Sequence, residues 1–98
     1  MATYVVRVEL HGAGGSEAAY NNLHNMMNSA GFRRWVTFSD GTWKLPTGLY
    51  LAEANTGLYG AVRDKAVAAA NLTGYANEVF VAEIYGSNMC SSSLSRWH

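Results

Sequence analysis

The stretch Thr3-Tyr4-Val5-Val6-Arg7-Val8-Glu9-Leu10 decides the fold. Tyr4, Val6, Val8 and Leu10 fall on one side of an extended chain and Val5, Arg7 and Glu9 on the other, the period of two that a half-buried strand requires. Gly12, Gly14 and Gly15 then break the strand, and Ser16 stands where a helix needs a side-chain oxygen for an orphan amide of its first turn. At about 100° per residue, Ala19, Tyr20, Leu23, Met26, Met27 and Ala30 share an arc of roughly 120°. Glu17, Asn21, His24, Asn25 and Asn28 fall opposite, so His24 reads as a solvent-facing helix residue. Gly31 supplies a left-handed stop, with Phe32 able to fold back over the last turn.

Further along, the β-branched and aromatic run 32–38 leads to Asp40-Gly41, a strong turn signal before Thr42-Trp43-Lys44-Leu45, and together they predict a hairpin. Pro46 cannot donate to a ladder, which makes 42–45 an edge extension or connection and puts the third main strand at 48–53. Asn55 or Thr56 is expected to cap a second helix that buries Leu58, Tyr59, Val62, Ala66, Ala69 and Ala70, and Gly74 closes it. The last strand, 78–85, alternates Phe80, Ala82 and Ile84, taken as the core face, with Val79, Val81, Glu83 and Tyr85. Strand, helix, strand, strand, helix, strand is the order of a ferredoxin-like βαββαβ fold of the α+β class: a four-stranded antiparallel sheet with two helices on one face. A single domain over 1–86 is expected, followed by a Ser-rich tail, 87–98, whose Leu94, Arg96 and Trp97 either dock on a partner or are disordered.

Composition narrows the function. Seven basic and seven acidic residues in 98 exclude a nucleic-acid clamp driven by bulk charge, while leaving room for a local patch such as Arg33-Arg34. Cys90 is the single cysteine, so neither an internal disulfide nor a cysteine metal cluster can form within the chain. No apolar run reaches the length of a membrane span and the opening residues read as strand, not leader, so a cytoplasmic protein with no membrane partner is expected.

Three groups of residues carry candidate chemistry. Arg33, Arg34, Trp35, Trp43 and Lys44 bring cations and indoles together as an RNA site holding phosphates and stacking bases does, although arginines on a strand also serve as a solvated edge. Glu9 and His11 could act as base and acid in phosphodiester cleavage, but Arg7 on the same side could pair with Glu9, and a surface charge pair is the plainer alternative. The open sheet face, with Val5, Val79, Val81 and Tyr85, is too apolar for a solvated surface and suits a homodimer or partner interface, to which Trp97 could add. An RNA-recognition motif is set aside because the first strand offers no stacking aromatic in its Val5, Arg7, Glu9 row. The Gly12–Gly15 loop lacks the residues of a phosphate-binding P-loop. His11, His24, His98 and Cys90 have no zinc spacing, so no metal site is assigned and a divalent ion finds no support in ligand spacing.

With that order of elements, Thr3-Tyr4-Val5-Val6 followed by Glu9, then Gly31-Phe32-Arg33-Arg34 and Leu45-Pro46-Thr47, resembles the GhoS-type family of small prokaryotic proteins. The family has the ferredoxin-like fold of the CRISPR adaptation nuclease subunit, and its named member is an antitoxin that cleaves its toxin's messenger RNA. The resemblance spans most of 3–85 as a pattern of elements and is letter-by-letter only in the opening strand. It implies a toxin–antitoxin endoribonuclease, with Glu9 where the family usually has Asp. The competing expectation is a non-enzymatic protein-binding module, such as a phage-borne inhibitor of host defence of the anti-CRISPR kind, favoured by the neutral charge and the apolar face.

Overall fold

The computed structural model describes residues 2–84 and 89–97. Its elements are β1 (Ala2–Leu10), α1 (Glu17–Ser29), β2 (Trp35–Phe38), β3 (Gly41–Lys44), β4 (Leu49–Ala54), α2 (Tyr59–Asn71) and β5 (Asn77–Ile84). β1 is the central strand of a three-stranded antiparallel sheet ordered β4-β1-β5, and β2 and β3 form a separate antiparallel hairpin. This α+β arrangement differs from a continuous four-stranded sheet. Arg33 and Leu51 exchange backbone hydrogen bonds of 2.8 and 2.9 Å, and the link between hairpin and sheet ends at that bridge. Val36 of the hairpin and Leu45 just after it are buried with Leu51 of β4 in a cluster of their own.

The alternation in β1 works as the sequence suggests: Ala2, Tyr4, Val6, Val8 and Leu10 are all buried. They join Leu23 and Met27 of α1, Val62, Ala66, Ala69 and Ala70 of α2, and Tyr50 of β4 in one core beneath both helices. Fully burying a side chain such as Leu23 or Met27 contributes roughly 1.5–3 kcal/mol. Ser16 Oγ accepts the Ala19 N–H at 3.2 Å, and Gly31, at φ +94°, ends α1 and lets Phe32 donate its N–H to Met27 O at 3.0 Å.

The second helix begins differently. Its cap position is Leu58, not Asn55 or Thr56, and no side chain of the helix start satisfies its amides. Tertiary partners replace the local cap: the Leu58 N–H donates to Tyr4 Oη at 2.9 Å and the Gly57 N–H to Glu83 Oε1 at 3.0 Å. Leu58 and Tyr59 are exposed at that end, so the buried face of α2 is narrower than its periodicity suggests.

The face assignment of β5 is reversed. Val6 pairs with Val81, Val8 with Val79 and Tyr4 with Glu83, and side chains of paired residues share a face. Val79 and Val81 therefore pack against the helix-side core, while Phe80, Ala82 and Ile84 lie on the other face, where Phe80 is 65% exposed. Both parities of 77–84 carry apolar residues, so periodicity alone could not choose between them; the register with β1 does.

The open face is only partly open. Val36 and Leu45 with Leu51 form a second apolar cluster, against which Val5, Leu49, Phe38, Trp43, Met89 and Leu94 pack. Residues 89–97 are thus part of the fold. The Lys44 N–H donates to Ser95 O at 2.8 Å, the Trp97 N–H to Thr42 O at 3.1 Å, and Arg96 forms a bridge with Trp43, so the tail lies along β3.

Candidate functional site

The β2–β3 register places Trp35 opposite Lys44, and the Leu45 N–H donates to Arg34 O at 2.7 Å, which fixes the root of the hairpin. Arg34 and Lys44, ten positions apart in sequence, thereby line one cleft of about 390 Å³ with Thr47 and with Gly15, Ser16, Glu17, Tyr20, Asn21 and His24 from the start of α1. Two cations face one carboxylate there, Glu17.

Contrary to the helical-wheel expectation, His24 is buried, with 7% of its surface exposed. It lies only about 40° outside the apolar arc, next to Tyr20, and the hairpin root covers that edge of the helix. Its Nδ1 is 2.6 Å from the hydroxyl of Tyr50, which is fully buried. Burial, reinforced by the positive charges of Arg34 and Lys44, pulls the His24 pKa down to about 4, so the imidazole is neutral near pH 7. Burial also pushes the Tyr50 phenol well above its usual range, so it keeps its proton. His24 and Arg34 border a second, smaller pocket of about 220 Å³ with Asn25, Asn28, Phe32, Trp35 and Trp97.

The rest of the basic–aromatic group is engaged within the chain. Arg33 pairs with the carboxylate of Glu53. Trp35 packs on Trp97 with ring centroids 5.0 Å apart, and the Arg96 guanidinium lies 5.0 Å from the centre of the Trp43 ring. The Trp43 indole N–H also donates to Asp40 Oδ1 at 3.1 Å. Of the five residues, Arg34 and Lys44 come together in the larger cleft and Arg34 and Trp35 in the smaller pocket, while Trp43 lies on the other face of the hairpin.

Glu9 and His11 are exposed at the end of β1. His11 Nε2 is 3.1 Å from Glu78 Oε1, and Glu9 stands opposite Glu78 in the β1–β5 register. Arg7 does not serve Glu9 in the way the sequence allows; it donates to Val8 O at 2.7 Å, beside Gly48. Of the expected interface residues, Val5 faces the second cluster, Val79 and Val81 face the helices, Trp97 stacks on Trp35, and Tyr85 lies outside the described residues. Among the described residues no group of three or more His, Cys, Asp or Glu is placed to hold a metal ion, and no helix is long and apolar enough to cross a membrane. His24, Tyr20 and Tyr50 were missed as site residues, although a histidine bordering an apolar arc next to a tyrosine was the available signal. No protein-family model, curated protein or solved structure matches the chain.

Proposed function

We propose that this protein is a small cytoplasmic RNA-acting regulator of the antitoxin kind, with Arg34 and Lys44 as its phosphate-holding residues. The observation that carries the reading is their convergence on one cleft. Arg34 offers a planar fork of donors and Lys44 a mobile point charge, which together suit a phosphate oxygen surface. The resemblance to the GhoS-type family supports the same reading, and so does the isolated Arg33–Leu51 bridge beside β4, at the edge where a ferredoxin-like fold has its fourth strand. In this reading the protein acts as a homodimer, and Glu9 and His11 supply acid–base cleavage chemistry once RNA opens the His11–Glu78 pair. Fluorescence anisotropy with a labelled single-stranded RNA at low salt tests the binding. Saturable binding that Arg34→Ala weakens about tenfold or more is expected, and no binding at low salt overturns the reading.

A second reading, a stoichiometric protein-binding module of the host-defence-inhibitor kind, is favoured by Phe80. It stands 65% exposed on the same face as Ala82 and Ile84, on β5, whose one strand neighbour among the described residues is β1. Retention of a single protein partner after nuclease treatment, lost in Phe80→Ser, supports this reading against the first.

A further inference from the structure

The cleft between the start of α1 and the hairpin root has an inner wall that the RNA reading leaves without a role. His24 is more than nine-tenths buried there, and one of its two ring nitrogens, Nδ1, is taken by Tyr50. The other, Nε2, has no hydrogen-bond partner among the described residues. Among the described residues the one enclosed side-chain nitrogen or oxygen without a partner is Glu83 Oε2, at the far end of β5. The Tyr50 hydroxyl is both donor and acceptor, and in the tautomer where it donates to Nδ1 the ring hydrogen sits on Nε2. The His24 imidazole, the Arg34 guanidinium and the Lys44 ammonium line one concave site.

We propose that this cleft is a binding site for a single phosphate group, with Arg34 and Lys44 as its charge partners and the Nε2–H of His24 as the buried donor at its base. The inference rests on the RNA reading only for the source of the phosphate; the cleft itself is argued from the three donors. At the start of α1 the Ser16 hydroxyl accepts the Ala19 amide. The groups facing the imidazole from each packed element are Glu17 and Tyr20 of α1, Arg34 before β2, Lys44 of β3 and Tyr50 of β4. An anion between the two cations offsets the positive field that, after burial, holds the imidazole neutral. Anion binding is therefore coupled to proton uptake at His24, and Glu17, the one carboxylate lining the cleft, opposes it.

Nuclear magnetic resonance of the full chain tests this directly, with the His24 ring signals assigned by their loss in His24→Gln. Inorganic phosphate and a single-stranded oligoribonucleotide without terminal phosphates serve as separate probes. Saturable displacement of the His24 signals by both probes is expected, with affinity for inorganic phosphate reduced about tenfold in Arg34→Ala or Lys44→Ala and raised in Glu17→Gln. A response to inorganic phosphate alone upholds the phosphate site and removes RNA as its source. RNA binding that leaves the His24 signals unmoved, with inorganic phosphate also silent, overturns the phosphate site while leaving the RNA reading intact. Sulfate, whose charge is constant across the titration, should raise the pH midpoint of His24 relative to chloride; an unchanged midpoint overturns the coupling.

Discussion

Two apolar regions hold this chain together, and they are built on opposite faces of the same strands. On the helix side, residues from β1, β4, α1 and α2 close a core in which Tyr4, Val6, Val8, Leu23, Met27 and Tyr50 have no measurable exposure. On the other side, Val36, Leu45 and Leu51 make a small cluster, roofed by a hairpin and a tail. That roof leaves an apolar groove of about 450 Å³ lined in part by Val5, Val36, Leu45 and Leu94. The first region is a sheet packed against helices; the second is a patch on the sheet covered by short segments held through backbone pairs and two tryptophans. Burial supplies the larger stabilisation to the first, whereas the second places Arg34 and Lys44 where the site needs them. Fold stability and site assembly therefore reside largely in different parts of the molecule.

Truncation on the two sides separates them. Leu23→Ala removes a fully buried side chain from the closed core and is expected to lower unfolding free energy by about 3 kcal/mol in urea titration. Leu94→Ala, at the half-buried tail, is expected to cost about 1 kcal/mol or less in the same titration, yet to speed amide exchange at Lys44 and Trp97, whose N–H groups bond across the tail–β3 contact. Equal losses of global stability in the two variants would break the comparison.

The His24–Tyr50 pair lies at the seam, with Tyr50 in the main core and His24 under the hairpin root. The histidine pKa falls from 6.5 to about 4 on folding, so between those values the unfolded chain binds more protons than the folded one. Stability contributed by keeping His24 neutral is complete above pH 6.5 and is lost as the pH drops toward 4, a change of about 3 kcal/mol. Urea midpoints at pH 7.5 and 4.5 measure it. His24→Leu, which cannot titrate, is expected to show a smaller decrease than the parent; an equal decrease would place the acid sensitivity elsewhere.

Much of the local structure was legible from residue types. Alternation in 3–10 assigns the faces of β1, Ser16 and Gly31 mark the ends of α1, and Asp40-Gly41 with Pro46 brackets the hairpin. These signals are local, each set by a side chain or backbone angle within a few positions. What escaped is non-local. The reversed faces of β5 depend on its pairing with β1, the cap of α2 comes from Tyr4 and Glu83, and residues 89–97 have no periodicity because they follow β3 instead of packing an amphipathic face of their own. The site divided in the same way. Arg34 and Lys44 are conspicuous as charges, but the helical period of α1 puts His24 in solvent, because nothing in α1 shows that the hairpin will fold over the edge of its apolar arc.

The salt dependence of RNA affinity tests the central claim most directly. Binding of a labelled single-stranded RNA, followed across a range of salt for the parent and for the Arg34→Ala, Lys44→Ala double variant, gives the number of phosphate contacts each makes. Removing two such contacts is expected to flatten the slope of log K against log salt by about 1.4, because each contact on a single strand contributes about 0.7. Identical slopes and affinities for the two proteins would contradict the assignment of this cleft to RNA phosphate.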